Sequence, residues 1–377
     1  ASSYDDIKII RNQMEASDWA KPSTNKNVDK KVYVDVGTSD CSAGWWKVFS
    51  DYFTIPANST LHTQFINHTS GTNNWNNWNL VLATNADRGG TGYSEYFVLR
   101  SDKYGWGNSD FSLSNLSGDY GSDDAAWTTY RKDMEGATVD MTIARSGGIV
   151  KVTAVSTAKS GTVYTEAYTQ KCGDGTQAIR AFFACDGSYL QIDPSETFVG
   201  TSYKSGSNLV GAANCSAAWW TAFSDYYKMS DGDKPLMINF INNNSGSGSN
   251  WNNWLLACTT DDARGGTSYA EHFILRSDAF GWGTSYKDGT MTNSFDFKTY
   301  VSDMHGANCW LNLSYSSGTV TMAAKQKKSD GTYLPDYSFV CPGITGDIRF
   351  FLTAELASLD ILKIGYFPYY DKIFETK

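Results

Sequence analysis

The chain repeats itself, and this constrains the fold before any local reading. Trp45-Trp46-Lys47-Val48-Phe49-Ser50-Asp51-Tyr52 returns as Trp219-Trp220-Thr221-Ala222-Phe223-Ser224-Asp225-Tyr226. Asn74-Trp75-Asn76-Asn77-Trp78 returns unchanged as Asn250-Trp251-Asn252-Asn253-Trp254. Arg88-Gly89-Gly90-Thr91 returns as Arg264-Gly265-Gly266-Thr267, each followed by Tyr-x-Glu-x-Phe-x-Leu-Arg-Ser-Asp. The triplets Gly105-Trp106-Gly107 and Gly281-Trp282-Gly283 then match, as do Asp133-Met134 with Asp303-Met304 and Ile179-Arg180 with Ile348-Arg349. A unit of roughly 170 residues is too long for a solenoid repeat and has the size of an independent domain. The copies are expected at 32–193 and 208–377, joined by a Ser/Gly/Thr-rich linker over 194–207. Residues 1–31 match nothing in the second copy. Ile7, Ile10 and Met14 behind Asp5-Asp6 suit one short amphipathic helix in an N-terminal tether.

Within a copy the pattern is strand after strand. Val32–Val36, Leu61–Ile66, Trp78–Ala83, Tyr93–Arg100, Val139–Ala144, Ile149–Val155 and Ile179–Ala184 are rich in β-branched and aromatic residues. Gly, Asn, Ser and Asp clusters separate them. Ser146-Gly147-Gly148 and Ser316-Ser317-Gly318 sit where hairpin turns belong. No long 3.6-residue period competes, and Asp110 to Trp127 reads as a surface loop. The expected fold is all-β: two tandem antiparallel β-sandwiches of jelly-roll type, produced by internal duplication.

Composition narrows the function. Charged residues are only 19% and aromatic residues 15% of the chain, with 13 Trp, which suits a large folded core rather than disorder. With 31 basic against 40 acidic side chains, the net charge of −9 repels phosphate backbones, so nucleic acid is excluded as a partner. No apolar run reaches the ~18 residues of a membrane-spanning helix. The opening Ala1-Ser2-Ser3-Tyr4-Asp5-Asp6 has neither the basic nor the apolar part of a signal peptide, so either a leader has been removed or the chain is cut short here.

The aromatics can be sorted by the alternation of faces along a strand. Trp78 shares a face with Leu80 and Leu82, and Trp254 with Leu256 and Cys258, so both are expected in the core. Trp75 shares its face with Asn77 and Asn79, and Trp251 with Asn253. Buried amides without partners cost about 1–3 kcal/mol each, so this face is expected at the surface. Trp46, Val48 and Tyr52 alternate inward, which leaves Trp45, and Trp219 likewise, as candidate surface indoles. Trp106 and Trp282, each between two glycines, project or plug a loop. An indole stacks on the apolar face of a sugar, while amides and guanidinium groups bond its hydroxyl rim. The candidate glycan-binding set is therefore Trp45, Asn74, Trp75, Asn77, Arg88 and Trp106, with Trp219, Asn250, Trp251, Asn253, Arg264 and Trp282 in the second copy.

As a set, the Trp-Trp-x-x-Phe-Ser-Asp-Tyr, Asn-Trp-Asn-Asn-Trp and Leu-Arg-Ser-Asp-x-x-Gly-Trp-Gly motifs resemble β-sandwich modules of surface glycan-binding proteins in gut Bacteroidota. The resemblance covers both copies. It implies non-catalytic capture of a polysaccharide or oligosaccharide outside the cell, at a surface reached through a lipoprotein leader, beside partner glycosidases and importers. Residues 1–31 would then be the tether.

Jelly rolls also carry glycosidases and polysaccharide lyases, which makes an enzyme the main alternative. Its carboxyl pairs would be Glu95 with Asp102 and Glu271 with Asp278. Seven residues along one strand put them on opposite faces and ~23 Å apart, whereas glycosidases need ~5–10 Å. Structural carboxylates paired with Arg88 or Arg100 are expected instead. A protein-binding adhesin is the other alternative. His62, His68, His272 and His305 have no histidine counterparts between copies, which excludes a repeated histidine site. No cofactor motif appears. Asp119 to Asp124 offers hard oxygen ligands for a structural calcium, although a solvated loop explains it better. Of seven cysteines, Cys41 and Cys172 align with Cys215 and Cys341, which fits either one bridge per copy or shared small core positions.

Overall fold

The computed structural model describes residues 31–102, 116–118, 124–279, 281–282, 289–292 and 297–375. The chain forms two compact units, one of Ala1–Val199 with Phe367–Lys377, the other of Gly200–Tyr366. Both are all-β, built among the described residues on antiparallel strand pairs.

In the first unit a large sheet runs in the order Val34–Val36, Ser188–Ile192, Thr60–Thr69, Ala137–Ser146, Ile149–Thr157, Val163–Lys171 and Leu116–Gly118. A small sheet of Phe53–Ile55, Ile179–Cys185, Trp78–Thr84 and Glu95–Arg100 faces it. Thr60–Thr69 and Ala137–Ser146 alternate buried and half-buried along their whole length, as one-sided strands do. Their inward residues Leu61, Phe65, Val139, Met141 and Ile143 meet Trp78, Leu80, Leu82 and Phe183 from the small sheet. The second unit repeats the plan, with Leu236–Asn244 and Ala307–Ser316 central in the large sheet and Trp254–Thr260 central in the small one.

Trp78–Thr84 is buried from Trp78 through Ala83, on both faces. The inner face packs into the sandwich. Over the outer face, Val81, Ala83, Val98 and Phe182 lie under Trp45, Trp46, Phe49, Tyr52 and Tyr93, an aromatic third layer supplied by loops. The second unit has the same layer from Trp219, Trp220, Phe223, Tyr226 and Tyr269.

Three expectations differ from the structure. The segment 194–207 is not a loose linker: Pro194–Glu196 is a 3₁₀ turn and Phe198–Ser202 a strand. Phe198 and Val199 pair with His62 and Leu61, and within the second unit Tyr203 donates its N–H to Leu362. Glycine at 200 is required by crowding, since a Cβ there would lie 2.0 Å from the Ile364 carbonyl oxygen. The last residues, counted with the second copy by repeat matching, belong to the first unit, where Phe367 stacks on Phe198 and the Tyr369 ring meets Phe53. Finally, the stretch expected as a loop, Asp110 to Trp127, runs at its end into a helix, Asp124–Asp133. Its Trp127 and Tyr130, with Met134 beyond its end, are buried at the three- and four-residue spacing of one helix face. The N-terminal tether, Trp106 and nearly all of the Asp119–Asp124 stretch lie outside the described residues.

Candidate functional site

Trp75 and Trp251 are the most exposed tryptophans described, at 37% and 42%. Each sits on a tight turn that carries the chain into the central strand of the small sheet. Asn76 donates its N–H to the Asn73 carbonyl, and Asn77 donates to Trp75. Asn252 and Asn253 repeat both bonds with Ser249 and Trp251. The backbone is therefore a turn at Trp75, and strand alternation does not run through it.

That changes the role of the amides. Asn77 and Asn253 are fully buried and brace the turn from beneath. Asn77 Oδ1 accepts from Asn67 Nδ2 at 3.2 Å, while Asn77 Nδ2 donates to the Asn74 backbone carbonyl at 2.7 Å. Asn253 accepts from both Asn242 and Asn244, at 2.8 and 2.6 Å, and donates to the Asn250 carbonyl at 2.8 Å. Asn250 is also occupied: its Oδ1 accepts from the Val301 N–H at 3.1 Å and its Nδ2 donates to Phe297. Asn74 is half-buried and its Oδ1 is shut off from solvent. Asn77, Asn250 and Asn253 thus spend their side-chain amides within the protein and brace the turn under the indole, whereas Asn74 takes part through its backbone carbonyl.

Arg88 and Arg264 belong elsewhere. The Arg88 guanidinium lies 3.9 Å from the Phe49 ring centroid, 4.7 Å from Tyr52 and 4.6 Å from Phe182. Arg264 lies 3.8 Å from Phe223, 4.7 Å from Tyr226 and 4.6 Å from Phe351. In both, Nη1 is buried with no hydrogen-bond partner. Cation–π attraction to three rings accounts for a guanidinium at this place. Trp45 and Trp46 are both half-buried in the same layer, with ring centroids 5.1 Å apart, and so are Trp219 and Trp220. Trp46 and Trp220 hold φ of 60° and 61°, a left-handed backbone that bulky residues seldom adopt. Trp45 and Trp219 are thus rim residues of the aromatic layer. Trp282 pairs through its backbone with Ile274, and its side chain, like Trp106, is outside the description.

The cation beside the exposed indole is one that sequence reasoning did not select. Arg100 Cζ lies 5.8 Å from the Trp75 ring centroid, and Arg276 Cζ lies 5.3 Å from that of Trp251. Each is anchored by a carboxylate, buried Asp102 in one copy and half-buried Asp278 in the other: Arg100 Nε is 3.3 Å from Asp102 Oδ1, and Arg276 reaches both oxygens of Asp278 at 3.0 Å. Both arginines lie within the repeated Leu-Arg-Ser-Asp motif, so their invariance was visible, but Arg100 was read as an ion-pair partner of Glu95. Glu95 instead accepts from Tyr93 Oη at 2.6 Å and Glu271 from Tyr269 at 2.6 Å, so these carboxylates serve their neighbours. Burial pushes the two tyrosines well above their ordinary pKa, with the adjacent carboxylate adding to it.

A second acid completes the setting. Asp186 follows Cys185, which pairs with Trp78, and Asn76 Nδ2 donates to the Asp186 carbonyl at 3.1 Å. Glu355 holds the same place after Ala354, opposite Trp254. Burial raises the carboxyl pKa of each, against the pull of Arg100 on Asp186 and of Arg276 on Glu355. The exchange of Asp for Glu between copies hid this position from self-comparison.

Among the described residues no group of three or more His, Cys, Asp or Glu is gathered as metal ligands. All seven cysteines are unbridged, including Cys41, Cys172, Cys215 and Cys341. No family model matches the chain, and no curated protein matches it. Among solved structures, domains LG4-5 of the mouse laminin alpha1 chain are similar over 85% of this chain and 83% of that one, at 11% identity and a TM-score of 0.20.

Proposed function

We propose that each repeat is a non-catalytic glycan-binding module, with Trp75 and Trp251 as the stacking platforms. One observation carries this reading: an indole left open to water in both copies, on a turn braced by buried amide bonds, beside an anchored guanidinium. A rigid, solvent-facing Trp costs exposure of apolar surface that folding would otherwise hide, and a pyranose face recovers it. Capture at an extracellular surface, of the kind seen in Bacteroidota glycan-binding proteins and alongside glycosidases and importers, is the setting that the sequence resemblance suggests. The buried or hydrogen-bonded state of Glu95, Asp102, Glu271 and Asp278 supports binding over hydrolysis. Native affinity electrophoresis on a polysaccharide panel tests the reading. Retardation by at least one glycan should be lost in the Trp75→Ala/Trp251→Ala double variant, with its melting temperature retained. Unchanged retardation in that variant sinks the site, and released reducing ends would make the protein an enzyme.

A further inference from the structure

We propose that Asp186 and Glu355 read the hydroxyl rim of the bound sugar and restrict each site to neutral glycans, excluding uronates and sulfated sugars. This rests on the glycan-binding reading above and names its ligand class.

The two acids are half-buried, yet among the described residues neither side chain has a hydrogen bond or ion pair. A carboxylate held partly out of water and left without donors is disfavoured, and a structural role would have given it a partner. Here two copies that differ at this position, Asp in one and Glu in the other, both keep an acid there. The nearby arginine attracts the acid through space without a hydrogen bond to it, while Arg100 pairs with Asp102 and Arg276 with Asp278. What remains is an acceptor of two adjacent O–H donors, the arrangement presented by a vicinal diol on a sugar ring.

Charge supplies the selectivity. Beside each indole an arginine is set against one carboxylate, Arg100 against Asp102 and Arg276 against Asp278, which leaves Asp186 and Glu355 as the carboxylates without a partner; in the first copy Arg131 also reaches the Thr72 carbonyl of the same turn. A uronate or sulfate ester would set a like charge against an unpaired carboxylate in a partly desolvated place, which is strongly disfavoured. A neutral ring meets no such cost. The raised carboxyl pKa of both acids adds a signature: hydroxyl donors favour the ionised form, so affinity should fall as the pH drops through a range above the ordinary carboxylate value.

The test runs the full chain and its Asp186→Asn/Glu355→Gln double variant against xylan, mannan and mixed-linkage β-glucan, and against pectate, alginate and chondroitin sulfate, by affinity electrophoresis and calorimetry. These isosteric changes keep the fold, which a melting curve verifies. The expected result is binding to at least one neutral glycan and to no acidic one. The variant should lose about tenfold or more in affinity for that glycan. Its residual binding should be flat across the acidic pH range where the parent weakens. Binding of the parent to an acidic glycan as tight as to any neutral one overturns the proposal. So does a double variant with parental affinity and parental pH dependence, even where Trp75→Ala/Trp251→Ala abolishes binding and the platform reading stands. No binding to either class removes the platform reading and this inference together.

Discussion

Asn253 gathers two amide donors where Asn77 gathers one, and the difference makes the brace measurable residue by residue. Asn253→Ala should cost the second unit about 1–3 kcal/mol, since it strips an acceptor from both Asn242 and Asn244 in a buried place. Asn77→Ala should cost less. Urea denaturation of both variants checks the order, and an equal or reversed cost would count against the brace. His62 provides a second residue-scale test. Burial opposes its imidazolium, but Asp140 Oδ1 at 2.6 Å prevails and lifts its pKa above the ordinary 6.5. The stability from this pair is fully present below about 6.5 and fades as the pH climbs through the raised folded value. The stability difference between the parent and Asp140→Asn should therefore be larger at mildly acidic pH than at alkaline pH, as read from paired denaturation curves.

At the scale of elements, Phe198–Ser202 shows what composition hides. Ser, Gly and Thr suit a flexible joint, but Gly200 is needed because a neighbouring strand passes too close for any side chain. Gly200→Ala should destabilise the second unit by about 1–3 kcal/mol or more, the range of overpacking, whereas a true linker would accept it silently. Differential scanning calorimetry distinguishes the two outcomes. The same contrast explains how much of the fold was legible. Strands such as Trp78–Thr84 and Ala137–Ser146 announce themselves through runs or alternation that their burial matches. The helix Asp124–Asp133 did not, because its three apolar anchors are scattered among polar residues and follow a Ser/Gly/Asp-rich stretch. At the candidate site, polar neighbours pointed correctly to an open Trp75, although the cause is a turn and not strand alternation. Arg88 was chosen for its invariance, but three rings beneath it account for that. Asp186 and Glu355 stayed hidden because unlike residues escape a search for identity.

Across the whole molecule, duplication means that two exposed indoles, the platforms proposed above, travel on one chain. Individual glycan contacts are weak, and engaging both on one polymer multiplies affinity by about 10²–10⁴ when the geometry permits. Trp75→Ala alone should leave the second platform's affinity for a short oligosaccharide unchanged, yet weaken binding to a long polymer disproportionately. Calorimetry with both ligand lengths measures this, and an equal loss for each would mean that the two repeats act separately.

Six of the seven thiols are buried in the folded protein, and only Cys215 is partly open to solvent. A maleimide dye should thus mark native molecules once, within the second repeat, and mark denatured ones seven times. Either repeat opened alone would carry four labels, but on different cysteines, so peptide mapping of partially labelled samples reads the order in which the duplicated halves come apart without adding a probe.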